Sequence, residues 1–293
     1  MNHIKDQIRC GAAYRLGLTG KGIGVAVLDT GIFLHRDFDS RVTGFADMVN
    51  RRNFAYDDCG HGTHICGIIG GSGRMSGGRY SGIAPGCDLV MVKVLDRKGN
   101  GYSSDVLAGI SWILERKEQL GIRILNISVG ACSKRGMSEN SALVKGVNRA
   151  WDAGLVVVVA AGNNGPRTMS ITTPGISRKV ITVGCSDDDR EVLVGGNRMV
   201  DYSGRGPTAA CICKPDLVAP GCSVVSCSSR ADKYTIKSGT SMSTPIVSGA
   251  VALLLERFPD MSNKDVKLRL RESSVDIGLP RNQQGWGMLN VEK

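Results

Sequence analysis

From residue 23 onward the chain alternates short apolar runs rich in β-branched residues with longer stretches whose apolar positions recur at helical spacing. IGVAVLD (23–29), LVMVKVL (89–95), IRILNIS (122–128), LVVVVAA (155–161) and KVITVG (179–184) read as strands. They are nearly continuous in apolar residues, which is how strands covered on both faces read. Between them Val106, Leu107, Ile110, Ile113 and Leu114 mark one helix, with Ser104 as its expected N-cap, and Leu143, Val147, Ala150 and Trp151 mark another that Gly154 ends. Strand and helix in alternation imply right-handed parallel crossovers, so the expected fold class is α/β: a three-layer α/β/α sandwich with a mainly parallel central sheet.

The last third changes character. Residues 195–240 carry short strands among glycine, proline and serine turns, and a long helix follows from Met242 to Phe258. Pro245 is acceptable there if it falls in the first turn, where its missing N–H has no use. Ser262 with Asp265 three residues on predicts a capping box at the start of a final helix. No linker or internal repeat interrupts residues 1–293, so a single domain is expected.

Composition then narrows the classes. Thirty-nine glycines in 293 residues argue against a helical bundle. The formal net charge is +10, but the basic residues are scattered, the densest group being Lys264, Lys267, Arg269 and Arg271, and few aromatics are present to stack on bases. Nucleic acid is therefore not the expected partner. The longest mainly apolar runs without charge, 155–161 and 246–255, are too short to span a bilayer, so no membrane partner is expected. Ten cysteines without paired spacing read as small buried hydrophobes in a reducing compartment, and MNHIKDQIRC lacks the apolar core of a secretory signal. The expected location is the cytosol, with secretion as the alternative if the chain is a trimmed mature form.

Ligands of parallel sheets collect at the carboxyl ends of the strands. Three strands end there in polar, glycine-rich turns: Asp29-Thr30-Gly31, Asn126-Ile127-Ser128 before Val129-Gly130, and Gly162-Asn163-Asn164-Gly165. HGTH (61–64) and GTSMSTP (239–245) add two histidines and a serine at a turn-to-helix junction. A serine hydroxyl needs a base to take its proton, and that imidazole needs a carboxylate to fix its tautomer. Ser241, His61 and Asp29 supply the three roles. Asn163 and the Ser241 backbone N–H, at a helix N-terminus, offer donors to an oxyanion. Two competitors are weaker. Cys59, His61, His64 and Cys66 are zinc-type ligands, but they form one cramped cluster where structural sites join two separated pairs. The glycines of TGKGIG (19–24) precede the first strand, whereas a dinucleotide-binding turn follows it.

Together AVLDTGI, HGTH, NISVG, AAGNNG and SGTSMSTP, with DYSGRGP and KPDLVAPG, make the chain resemble the subtilisin-like serine proteases over residues 10–291. The resemblance implies a subtilisin-like fold and a serine endopeptidase acting through an acyl-enzyme. Asp29, His61 and Ser241 match the triad, in the Asp…His…Ser order of that family, and Asn163 matches the oxyanion-hole asparagine. It further implies that Ser128, Val129 and Gly130 bind polypeptide substrates as an added strand beside the pocket for the residue before the scissile bond, that His64 is non-catalytic, and that Thr173-Pro174 is cis. No cofactor is expected. Asp37 matches a calcium ligand of the family, but residues 70–82 contain no carboxylate, so calcium binding of that kind is not supported. Cys66, five residues past His61, is expected to be a buried thiol. A non-catalytic peptide-binding member is the competing functional class, disfavoured by the presence of all three triad residues.

Overall fold

The computed structural model describes residues 1–130 and 139–292. Its strands are β1 Gly24–Asp29, β2 Val42–Asp47, β3 Asp88–Lys93, β4 Ile122–Ile127, β5 Val156–Ala160, β6 Ile181–Cys185, β7 Val192–Val194, β8 Asn197–Met199, β9 Leu217–Ala219, β10 Val224–Cys227 and β11 Tyr234–Lys237. Its helices are α1 Asn2–Gln7, α2 Gly11–Arg15, α3 His61–Gly70, α4 Ser103–Arg116, α5 Ala142–Asp152, α6 Thr240–Arg257, α7 Asn263–Ser273 and α8 Arg281–Gln284. Seven strands form one sheet in the order β2-β3-β1-β4-β5-β6-β9, every neighbouring pair parallel. The remaining four make two antiparallel hairpins, β7-β8 and β10-β11.

Register decides which helix covers which face. Leu28 of β1 lies beside Val92 of β3, and Gly109 of α4 packs on both. The alternate residues Asp29 and Met91 meet Gly62 of α3, so α3 and α4 lie on opposite faces. Helix α5 packs with α4, and α6 with α3, completing three layers. This is the α/β/α sandwich expected from the strand pattern. Because β1 and β5 are buried along their whole lengths, their sequences had to be apolar on both faces.

Several details differ from expectation. Edge strand β2 escapes the strand pattern, because its half-exposed VTGFAD lacks the apolar continuity of the interior strands. The N-cap of α4 is Tyr102, and Ser104 falls inside the first turn. Helix α6 begins at Thr240, two residues early, which moves Pro245 to its sixth residue. Pro245 cannot donate to the Ser241 carbonyl four residues back, so the turn that carries Ser241 lacks one helical bond. The Ser262–Asp265 capping box is present, and Thr173-Pro174 is cis.

Candidate active site

Strand β1 ends on Asp29 at the point where the sheet runs outward on one side through β3 and on the other through β4. Such a reversal leaves a crevice at the strands' carboxyl ends. The Asp29 carboxylate is wholly buried and accepts from the Thr30 N–H at 2.7 Å. His61 opens α3 and places Nδ1 2.8 and 2.9 Å from the two Asp29 carboxylate oxygens. A carboxylate only accepts, so Nδ1 carries the proton and Nε2 is left as the basic nitrogen. His61 keeps 22% of its side-chain surface in solvent, enough for a substrate to reach it.

The sharp chain reversals around this pair need glycine. Gly31 has φ +117°, and a Cβ there would lie 2.1 Å from the Tyr56 carbonyl oxygen. A Cβ on Gly62 would lie 2.2 Å from the Gly31 carbonyl oxygen. Asp57, which belongs to none of the sequence motifs, fastens the junction: its carboxylate accepts from the backbone N–H groups of Cys59, Gly60 and Thr63 and from the hydroxyls of Thr30 and Thr63, at 2.6 to 3.1 Å. A carboxylate at a helix N-terminus is also favoured by the dipole. Lys93, fully buried beside Asp29 in register, donates to the carbonyls of Thr30 and Leu95 and to Asp58. A charged residue inside an otherwise apolar strand was the signal available for it.

Ser241 is the second residue of α6 and shares one open cleft of about 450 Å³ with His61, Asn163, Ser128, Val129 and Gly130. The sequence-selected residues are thus brought together. The Ser241 hydroxyl donates to the Ser128 carbonyl at 2.7 Å. Asn163 Oδ1 accepts from the backbone N–H and hydroxyl of Thr240, both at 3.0 Å, which fixes the amide plane beside the α6 N-terminus. Thr172, which no sequence motif marks, fills the gap between two cleft segments: a Cβ on Gly130 or Gly162 would lie 2.3 or 2.4 Å from its side chain. A second hollow of about 220 Å³ adjoins, lined by Leu95, Tyr102, Val106, Val129 and Leu143 among others.

The other candidates go elsewhere. His64 is fully buried and donates from Nε2 to the carbonyls of Val224 and Thr235, tying α3 to the β10-β11 hairpin. Burial pushes its pKa down to about 3. Burial likewise raises the Cys66 thiol well above its ordinary range. Cys59, His61, His64 and Cys66 do not converge; among the described residues the convergent groups of possible metal ligands are His35-Asp37-Cys227 and Cys185-Asp187-Cys222.

Asp37 does not sit in a calcium cage. Its carboxylate accepts from the Met75 N–H at 2.9 Å and the Tyr234 hydroxyl at 2.7 Å. Beside it the Arg41 guanidinium donates to the main-chain carbonyls of Asp37, Gly70 and Cys87, which converge from three segments at 2.6, 2.6 and 3.2 Å. Oxygens that could ligate calcium are already turned onto a fixed cation, so this donor set does not fit the ion.

The Subtilase family profile matches residues 20–287. The chain belongs to the subtilase family. This subtilase is a serine-type endopeptidase by that membership. It is 41% identical over 290 residues to Serine protease AprX of Bacillus subtilis (strain 168), covering 93% of this chain and 65% of AprX. It is 34% identical over 287 residues to Subtilisin BL of Lederbergia lenta, covering 98% and 96%. Among solved structures, Sphericase superposes with a TM-score of 0.78 at 32% identity over 94% of this chain and 93% of its own. The family acts on polypeptides. The expected cytosolic location is overturned, because the subtilisins matched here are secreted, extracellular proteins. The cysteines misled: six of the nine free ones among the described residues are buried, and burial accounts for them without reference to the compartment.

Proposed function

We propose that this subtilase domain cleaves polypeptides through an acyl-enzyme on Ser241, with His61 as general base and acid and Asp29 as its orienting carboxylate. The observation that carries this reading is the buried Asp29 carboxylate bonded to His61 Nδ1, which leaves Nε2 as the basic nitrogen of a residue that lines the same cleft as Ser241. In the proposed reaction the Ser241 hydroxyl rotates about χ1 from the Ser128 carbonyl to His61 Nε2, gives up its proton and attacks the scissile carbonyl. The proton then passes from His61 to the leaving amine, and water repeats the sequence to release the acid. Asn163 Nδ2, with Oδ1 held on Thr240, and the Ser241 N–H would donate to the oxyanion.

Substrate is read as an extended strand along Ser128, Val129 and Gly130, by main-chain hydrogen bonds that tolerate many side chains. The hollow at Leu95, Tyr102 and Val129 offers room for an apolar side chain. The chemistry calls on no cofactor, and the Arg41 guanidinium supports a calcium-independent fold in this region. A fluorophosphonate probe tests the assignment: the parent protein is labelled stoichiometrically and Ser241→Ala is not. A folded parent that resists the probe would sink it.

A further inference from the structure

Two cysteines and an acid come together behind the nucleophile, outside the catalytic cleft. Cys185 ends β6, and Cys222 follows the adjacent parallel strand β9, where Cys185 and Ala219 are register partners. The sulfurs of Cys185 and Cys222 and a carboxylate oxygen of Asp187 all lie within 4.8 Å of one another. The Cys185 thiol donates to Asp187 Oδ1 at 3.1 Å, and the Cys222 thiol to the Asp187 main-chain oxygen at 2.7 Å. The buried Tyr202 hydroxyl stands between the sulfurs, 3.2 Å from one and 3.1 Å from the other. Val194 and, partly buried, Val192 and Met199 of the β7-β8 hairpin complete a small apolar cluster around them.

We propose that Cys185, Cys222 and Asp187 form a binding site for a thiophilic divalent cation of the zinc class. Two soft sulfurs and one carboxylate are a donor set for Zn²⁺ or Cd²⁺ and a poor one for Ca²⁺ or Mg²⁺. The ion displaces two protons, one from each thiol, and takes over the charge that their hydrogen bonds now satisfy. The Tyr202 hydroxyl, within reach of both sulfurs, orients them from outside the coordination sphere. Asp187 is only half-buried and gives the entry side.

The site is coupled to catalysis by contact. Gly221, next to Cys222, packs so closely that an added Cβ would lie 2.9 Å from Cys185 Sγ and 2.4 Å from Ser243 Oγ. Its carbonyl accepts from the N–H of Gly239, the N-cap of α6 and two residues before Ser241. An ion held here braces the loop behind the nucleophile.

Cd²⁺ titrated into the full chain carrying Ser241→Ala, to prevent self-digestion, with a non-thiol reductant present, tests the proposal. Thiolate-to-metal absorbance and equilibrium dialysis should report one tight equivalent and a rise in Tm. Cys222→Ser should weaken binding at least tenfold, and so should Asp187→Asn, which decides the matter alone if the cysteine variant fails to fold. The double variant Cys211→Ser/Cys213→Ser, with both thiols exposed, should bind as the parent does. The proposal is overturned by the absence of the absorbance band, by binding that survives in a folded Cys222→Ser or Asp187→Asn variant, or by binding lost in Cys227→Ser, which would assign the ion to the His35 cluster.

Discussion

The hydroxyl of Ser241 is bonded to the main-chain carbonyl of Ser128, 2.7 Å away, on the segment proposed to pair with substrate. In the proposed reaction one acceptor therefore serves two donors in turn. When the N–H of an extended peptide takes the Ser128 carbonyl, the serine hydroxyl is released toward His61. A substrate N-methylated at the residue before the scissile bond should lose kcat as well as KM, because it cannot free the nucleophile. Loss confined to KM, measured by steady-state kinetics on the paired peptides, would refute this coupling.

In the proposed mechanism Asn163→Ala removes a donor to the oxyanion. The expected outcome is a fall in kcat of about 10²–10³, the known cost of removing the oxyanion-hole asparagine of subtilisin, with KM little changed. A loss expressed mainly in KM would mean that Asn163 holds substrate in its ground state instead.

His64 makes folding stability depend on pH. Its folded pKa lies near 3 against 6.5 for the unconstrained ring, so between those values the unfolded chain binds the extra proton. Stability is fully present above pH 6.5 and is lost as pH falls toward 3, by about 2 kcal/mol at pH 5. Thermal melts at pH 7 and pH 5 should show a smaller pH effect in His64→Gln than in the parent. Equal slopes in the two proteins would remove His64 as the cause.

A fixed guanidinium where three carbonyls meet predicts indifference to calcium. Calcium added to the metal-free chain should leave Tm unchanged, while Arg41→Ala, which strands three carbonyls, should lower stability by about 3 kcal/mol. A chelator-induced drop in Tm that added calcium reverses would show that the ion is bound after all.

Thr172 narrows the cleft between Gly130 and Gly162. Thr172→Gly should raise kcat/KM for peptides with a bulky aromatic residue before the scissile bond relative to those with alanine there. A cleavage-site profile indistinguishable from the parent's would place Thr172 outside the specificity pocket.

Much of this was legible in the chain. The interior strands were, because burial on both faces forces unbroken apolar runs, and the proposed catalytic residues were, because each sits in a polar, glycine-marked turn at a strand end or helix start. Edge strand β2 was not, since a half-exposed strand needs no such run. Asp57 and Arg41 were also hidden. Their importance comes from partners far away or across a turn, and a string of residues does not show that five donors meet one carboxylate or three carbonyls one guanidinium. Pro245 was misplaced for a related reason: Thr240 is recruited into α6 by Asn163, 77 residues earlier in the chain.

Fourteen of the eighteen residues of α6 are buried, and Ser241 rides on its first turn. The proposed nucleophile is thus mounted on the central beam of the molecule. Loss of activity on heating should be all-or-none and coincide with global unfolding, so residual hydrolysis becomes a direct count of intact molecules.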